Sequence, residues 1–520
     1  MNATAFFQVR TRSFSRFAAG IVVAIAGVCL CPASALAVNR TWDGSGSPNW
    51  SDADNWTPSG APATSGDALI WGPLSGGHRT SVNDISGLTT SLAFNANIPG
   101  NVSLSGSAIT LSGNVSGAFT GTVTIDMDLS MASTARTFGL TGAGSSLILN
   151  GVISSATSSV GLTISPAASA SVSLNGLNTF GGGATVGNGT AYINTLADSG
   201  VAQSLGAGSA VIFGFAAPAN TVTGNVVYTG STAASTNKTF RVGQNAATGT
   251  QSGGFFNNGS GVVTWTGAQS TTGGSPGVVQ TFTLGGSNAG DNTWAGAIKN
   301  NTGGTMALTK ADAGKWILSG SNTYTGATSV NAGTLLVNGN QSAATGAVTV
   351  ASLATLGGSG TLGGAMTING ILAPGSGGIG TLSATNGVTW NASVGNEWLF
   401  LLGTSGTSLA AANASTNNDL LNITGAFAQG TGSTFTFDFL NSGSDGWYKL
   451  VDYTTTTFST GTNASFQASN LPSGKTATFV VDSATTALYV QIVPEPSTIA
   501  LLGVGGIALA AGLRRRRRPG

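Results

Sequence analysis

The chain has 520 residues, 80 of them glycine, with 7% charged and a mean hydropathy of +0.23. About a quarter of an average soluble domain is charged, and disordered chains combine low hydrophobicity with many charges, so composition excludes both an ordinary globular surface and disorder. Glycine follows no three-residue period, which excludes collagen, and no helical period runs between residues 40 and 490.

Charge is concentrated at the ends. Of 18 Lys and Arg, three precede residue 20 and five lie at 514–518, while Glu495 is the one acidic residue of 17 outside 38–493; the body is therefore 10 − 16 = −6. It lacks the basic stripe that phosphate neutralisation needs, so nucleic acid is not an expected partner.

Taken in order, Arg10, Arg12 and Arg16 precede the apolar run 17–30, and Ala35-Leu36-Ala37 follows. That is the form of a secretory signal over 1–37, cleaved by signal peptidase at the Ala35/Ala37 site. Both cysteines, Cys29 and Cys31, fall inside it, so the exported chain is expected to hold together by packing without disulfides. Residues 38–80 carry Trp42, Trp50, Trp56 and Trp71 with Asp and Asn turns. Two roles fit them: closing the open end of a stacked sheet, or, for Trp42, Trp50 and Trp56, stacking on sugar rings.

From 81 to 390 the chain is a string of short β segments, such as Val123-Thr124-Ile125 and Leu147-Ile148-Leu149, most followed by Gly, Asn or Ser-Gly. Val, Ile and Thr favour the pleated chain, and Gly and Asn accept the corners. Strands of three or four residues cannot bury a face alone, so each needs neighbours above and below. At about 22 residues per coil this span holds about 14 coils. The clearest unit is 308–340, with an echo at 172–194: Leu174, Gly176, Asn178, Thr179, Gly182, Val186, Gly189, Thr190 and Asn194 fall on Leu318, Gly320, Asn322, Thr323, Gly326, Val330, Gly333, Thr334 and Asn338. This pattern resembles the autotransporter-associated β-strand repeat of bacterial surface proteins. The resemblance implies a right-handed parallel β-helix (solenoid) with about one coil per repeat, and the Trp-rich opening resembles the start of proteins carrying it.

Past Trp390 the strands become more aromatic, and 391–492 reads as a compact β-rich cap, a sheet or sandwich. Val493-Pro494-Glu495-Pro496 then leads into 17 apolar residues, 497–513, and Arg514, Arg515, Arg516, Arg517 and Arg518. Such a stretch makes about 25 Å of helix, enough for a single transmembrane helix with arginines holding its end in the cytoplasm. The arrangement over 493–520 resembles the PEP-CTERM sorting signal, which implies exosortase as a partner, cleavage near Pro494, Glu495 and Pro496, a membrane-anchored precursor, and association with extracellular polysaccharide.

Chemistry-bearing residues are sparse. His78 is the single histidine, no cysteine follows residue 31, and no G-x-S-x-G elbow surrounds a serine, so no catalytic residue, cofactor or metal site is assigned. Lys310, Asp312 and Lys315 are the closest mixed-charge group, and Asp52/Asp54 and Asp126/Asp128 are carboxylate pairs that could hold calcium in an oxygen cage, although two carboxylates alone point more to solvated turns. The expectation is a non-enzymatic exported structural or adhesive protein of the cell surface or matrix. A polysaccharide-degrading β-helix enzyme and a carbohydrate-binding surface protein are the alternatives.

Overall fold

The computed structural model describes residues 37–495 apart from 73–77, 97, 99, 216–220, 244–248, 271–276, 394, 416 and 442. The chain divides between Leu36 and Ala37 into two units, and only the second holds described residues. The leader with Ala35, the residues from Pro496 onward, the expected helix over 497–513 and the five arginines therefore lie outside the description. No helix among the described residues is long and apolar enough to cross a membrane.

Where Val, Leu or Ile alternates with Ser or Thr the chain extends, with the apolar side chain turned in. Ser171–Leu174 shows the rule: Val172 and Leu174 are fully buried while Ser171 and Ser173 are half-buried on the outer face. Each such apolar side chain removed from water contributes about 1.5–3 kcal/mol, which a lone three-residue strand cannot collect. Stacking supplies it. Among the described residues sixteen strands, from Thr80–Asn83 to Thr455–Thr456, join side by side into one parallel sheet, here the long sheet. A second face is formed by the first sheet, beginning at Asn39–Trp42 and reaching Thr239–Val242; a third sheet begins at Ala234–Thr236 and reaches Ile371–Pro374. The chain alternates between these faces, which makes the unit an all-β parallel solenoid.

Fourteen of the long-sheet strands lie between Thr80 and Trp390, one per coil, matching the count expected from length. Coil length is not uniform. Leu308, Thr328 and Val348 are successive register partners 20 residues apart, whereas Val172, Ala191 and Val226 are separated by 19 and then 35.

The stack does not stop at Trp390. Val388–Trp390 pairs in parallel with Ala426–Gln429, and that strand with Thr455–Thr456, so the long sheet runs two strands into the region expected to be a separate cap. Antiparallel pairing enters further on, where Ala487–Pro494 lies between Gly446–Asp452 and Lys475–Asp482. At the opposite end Trp56–Thr57 lies antiparallel on Asn39–Trp42, whose other side pairs in parallel with Ser65–Trp71.

Candidate binding face and terminal segments

The N-terminal tryptophans belong to the core. Trp42, Trp50 and Trp71 have no exposed surface and Trp56 has 2%. Trp42 meets Trp56 edge-on at 5.0 Å and Trp50 meets Trp71 at 5.3 Å, and the cluster continues through Trp71–Phe94 and Phe94–Phe119. The Trp42 indole N–H donates to the His78 carbonyl and that of Trp56 to the Trp50 carbonyl. A ring without exposed surface cannot stack on a sugar, so Trp42, Trp50 and Trp56 are corrected from candidate carbohydrate platforms to the closure of the first coil. His78 contributes its backbone here, its side chain being exposed.

Below this cluster, Asp67 is 2% exposed. One of its oxygens accepts from the Val38 N–H at 2.9 Å, the other from Arg40 Nε at 2.6 Å and the Ala63 N–H at 3.0 Å. Burial pushes this carboxyl up, but the Ala63 N–H, Arg40 and the Val38 N–H outweigh it and hold the group below the usual carboxylate range.

The carboxylate pairs act in turns. Asp52 caps the short helical turn Ala53–Asn55, accepting from the Asp54 and Ser47 N–H groups. Asp126 accepts from the Asn150 amide, which accepts in turn from Asn175, so three consecutive coils are joined along one corner. Asp128 accepts from the Val152 N–H. No group of three or more His, Cys, Asp or Glu gathers at metal-binding distance among the described residues.

The Lys310, Asp312 and Lys315 group separates as well. Lys310 is buried with its ammonium donating to the carbonyls of Ala311, Asp312 and Ala332, Asp312 accepts from the Gly286 N–H, and Lys315 pairs with Asp291 at 2.6 Å. One surface hollow of about 460 Å³ is lined by Ser393, Glu397, Thr434, Thr436 and Gln467 among others, with Glu397 as its ionisable residue. Asp419, pushed up to about 6 by burial against the pull of the Leu401 and Gly380 N–H groups, ties two turns together through those same groups.

The register of the long sheet exposes a feature that reading strand by strand does not give. One outward position per strand lines up as Thr122, Ser146, Ser171, Thr190, Asn225, Gly254, Thr283, Thr309, Ser329, Thr349, Thr367, Thr389 and Ala428. Ten of these 13 carry a hydroxyl and none is charged. At about 4.8 Å per strand the column runs for about 58 Å. Beside it, Tyr192, Val227 and Phe256 stack in register. The Phe256 ring lies over Gly254 and Gly285, where an added Cβ would come within 2.7 and 2.4 Å of it, so both positions are glycine because the ring needs that space. The alternation of apolar and hydroxyl residues signals each member, but only the pairing shows that they form one line.

The repeat unit is built alike at both of its sites. Asn178 and Asn322 are both buried, and each accepts from the backbone N–H of an isoleucine in the coil before, Ile153 and Ile298, at 2.7 Å. Phe180 and Tyr324 both fill the core behind them, and Gly189 and Gly333 both turn at positive φ, +67° and +63°. Residues 308–337 match the passenger-associated-transport-repeat. The span of this repeat covers a full coil, from Leu308 to its partner Thr328, and starts the next. A curated relative, the "Adhesin BmaC autotransporter" of Brucella suis biovar 1 (strain 1330), is 32% identical over 211 residues, 41% of this chain and 6% of that protein. The chain thus spans a small part of that adhesin's length.

At the other end, residues 493–518 match the PEP-CTERM protein-sorting motif. Its first residues are described: Val493 and Pro494 are register partners of Thr476 and Lys475, and the Glu495 N–H donates to the Gly474 carbonyl at 2.8 Å. The sorting motif therefore starts inside the last strand, with no spacer between it and the folded unit. This motif and the adhesin relative support export to the surface or envelope of a bacterium.

Proposed function

We propose that the protein is an exported, exosortase-sorted, adhesin-like component of the cell surface or extracellular matrix. Its solenoid winds right-handed, the hand that parallel crossovers take, and its long sheet is laid against extracellular polysaccharide. The observation that carries this reading is the uncharged hydroxyl column on the long sheet, with Tyr192 and Phe256 beside it. Many weak hydroxyl contacts repeated at a fixed interval suit a long neutral polymer, because linking them raises overall retention well beyond that of any one contact. The domain order follows: leader 1–37, N-terminal closure 38–80, coils 81–390, C-terminal strands 391–492 and sorting signal 493–520.

A column of carboxylates should destroy such a surface without touching the core. Thr309→Glu, Thr349→Glu and Thr389→Glu together are expected to lower retention of residues 38–495 on neutral polysaccharide by about tenfold or more, with the melting midpoint nearly unchanged. Equal retention by the triple variant would remove the hydroxyl face from the argument. Release of soluble sugar from the same polymers would favour the enzymatic alternative instead.

A further inference from the structure

Asp67 is a buried carboxylate that the binding face does not use, and it holds the first residues of the described chain. Its contact with Val38 is the unusual one. The N–H that it receives at 2.9 Å belongs to the residue immediately after the Ala35-Leu36-Ala37 signature, one residue into the folded unit, which begins at Ala37. In the uncleaved chain this N–H is a neutral amide. Hydrolysis of the Ala37–Val38 bond consumes one water and leaves a carboxylate on Ala37 and an ammonium on Val38, at the same nitrogen that already faces Asp67.

We propose that leader removal is a maturation switch: it converts the Val38–Asp67 hydrogen bond into a buried ion pair that locks the N-terminal closure. This rests on the export reading above, and specifically on cleavage after Ala37. The carboxylate is prepared for a second cation. Arg40 Nε and the Ala63 N–H share one oxygen, while Val38 faces the other. Arg40 is in turn fixed by the carbonyls of Pro58 and Gly60, so it cannot swing away to leave the acid unbalanced. What the pair would fasten is Asn39–Trp42, the strand carrying Trp42 into the aromatic cluster and pairing with both Trp56–Thr57 and Ser65–Trp71. The amide N–H already donates to an ionised carboxylate, so what cleavage adds is a full positive charge on the same nitrogen, a coulombic gain at a site largely shielded from water.

The sign of the pH dependence follows. An α-amino group gaining an anionic partner has its folded-state pKa raised, so the added stability is complete below its unfolded value and is lost as pH rises through the folded one. The test compares the exported, processed chain with a variant carrying Gly-Ser inserted between Ala37 and Val38, which keeps the cleavage signature and moves the ammonium two residues from Asp67. N-terminal sequencing of the processed wild type should return Val38. Its α-amino group should titrate at least about one unit above the usual 7.7–8.0, and that of the insertion variant within it. The wild type should also melt higher at pH 7, the difference disappearing above the shifted titration. An ordinary α-amino titration on a chain beginning at Val38 would overturn the switch alone. A first residue other than Val38 would overturn the cleavage site and the switch with it.

Discussion

In the repeat copy at 172–194 the chain passes from the long sheet to the first sheet and back to the long sheet, through Ser171–Leu174, Ala184–Val186 and Gly189–Ile193. In the copy at 316–338 it passes from the third sheet to the long sheet and back to the third, through Lys315–Leu318, Thr328–Val330 and Thr334–Val337. The same asparagine, aromatic residue and positive-φ glycine serve both, yet each strand has moved to a different face. The motif therefore specifies a corner and the strands beside it; the face is decided by where the preceding coil left the chain.

The strongest way to break this equivalence is at the corner glycine. Valine at Gly333 or Gly189 would face both a forbidden φ and backbone oxygen, Asp312 O at 2.5 Å in one and Ala167 O at 2.8 Å in the other. Each substitution is expected to destabilise its coils by about 3 kcal/mol, read by hydrogen exchange at the neighbouring strands. A tolerated Gly189→Val would show that the earlier copy has lost the constraint.

A smaller contrast separates the asparagines. Asn178 also donates to the Ser204 carbonyl, whereas the Asn322 amide nitrogen is buried without a partner among the described residues. Asn178→Ala should therefore cost about 2–3 kcal/mol and Asn322→Ala about 1–2 kcal/mol in chemical denaturation. The reverse order would contradict the two hydrogen-bond patterns.

The smallest effect concerns a residue that only the later copy possesses. Position 310 is lysine, and its counterpart 144 residues earlier is Pro166. Burial, opposed by Asp312, brings the Lys310 ammonium down to about 8. An unfolded lysine keeps its proton to about 10.4, so between those values the unfolded state binds more protons and stability rises with pH. Lys310→Met should remove part of that rise in melting midpoint; Lys238, also lowered to about 8 by burial against the opposing pull of Asp198, contributes to what remains. An unchanged pH slope in Lys310→Met would mean that its carbonyl cage keeps the ammonium charged.

Strand positions and corners were legible because a period of two and a Gly or Asn stop are local properties, as Val172-Ser173-Leu174 followed by Asn175 illustrates. The aromatic role was legible only in part. Tryptophan is suited equally to a core and to a sugar platform, and its neighbours in space decide, as the ring contacts of Trp50 with Trp56 and Trp71 show. The hydroxyl column was hidden for another reason. Coils of 19 and 35 residues succeed each other between Val172 and Val226, so no fixed spacing in the sequence brings Ser171, Thr190 and Asn225 into line. The continuation of the stack past Trp390 was masked likewise, because a 39-residue excursion separates Val388 from its partner Phe427.

A parallel stack is a template, and its first strand would invite another molecule to add itself and propagate a fibre. Trp56–Thr57, reversed in direction and only two residues long, occupies that position on Asn39–Trp42. That inverted pair covers Thr41 and Trp42 and so blunts the starting edge of the first sheet against end-to-end growth by a second molecule.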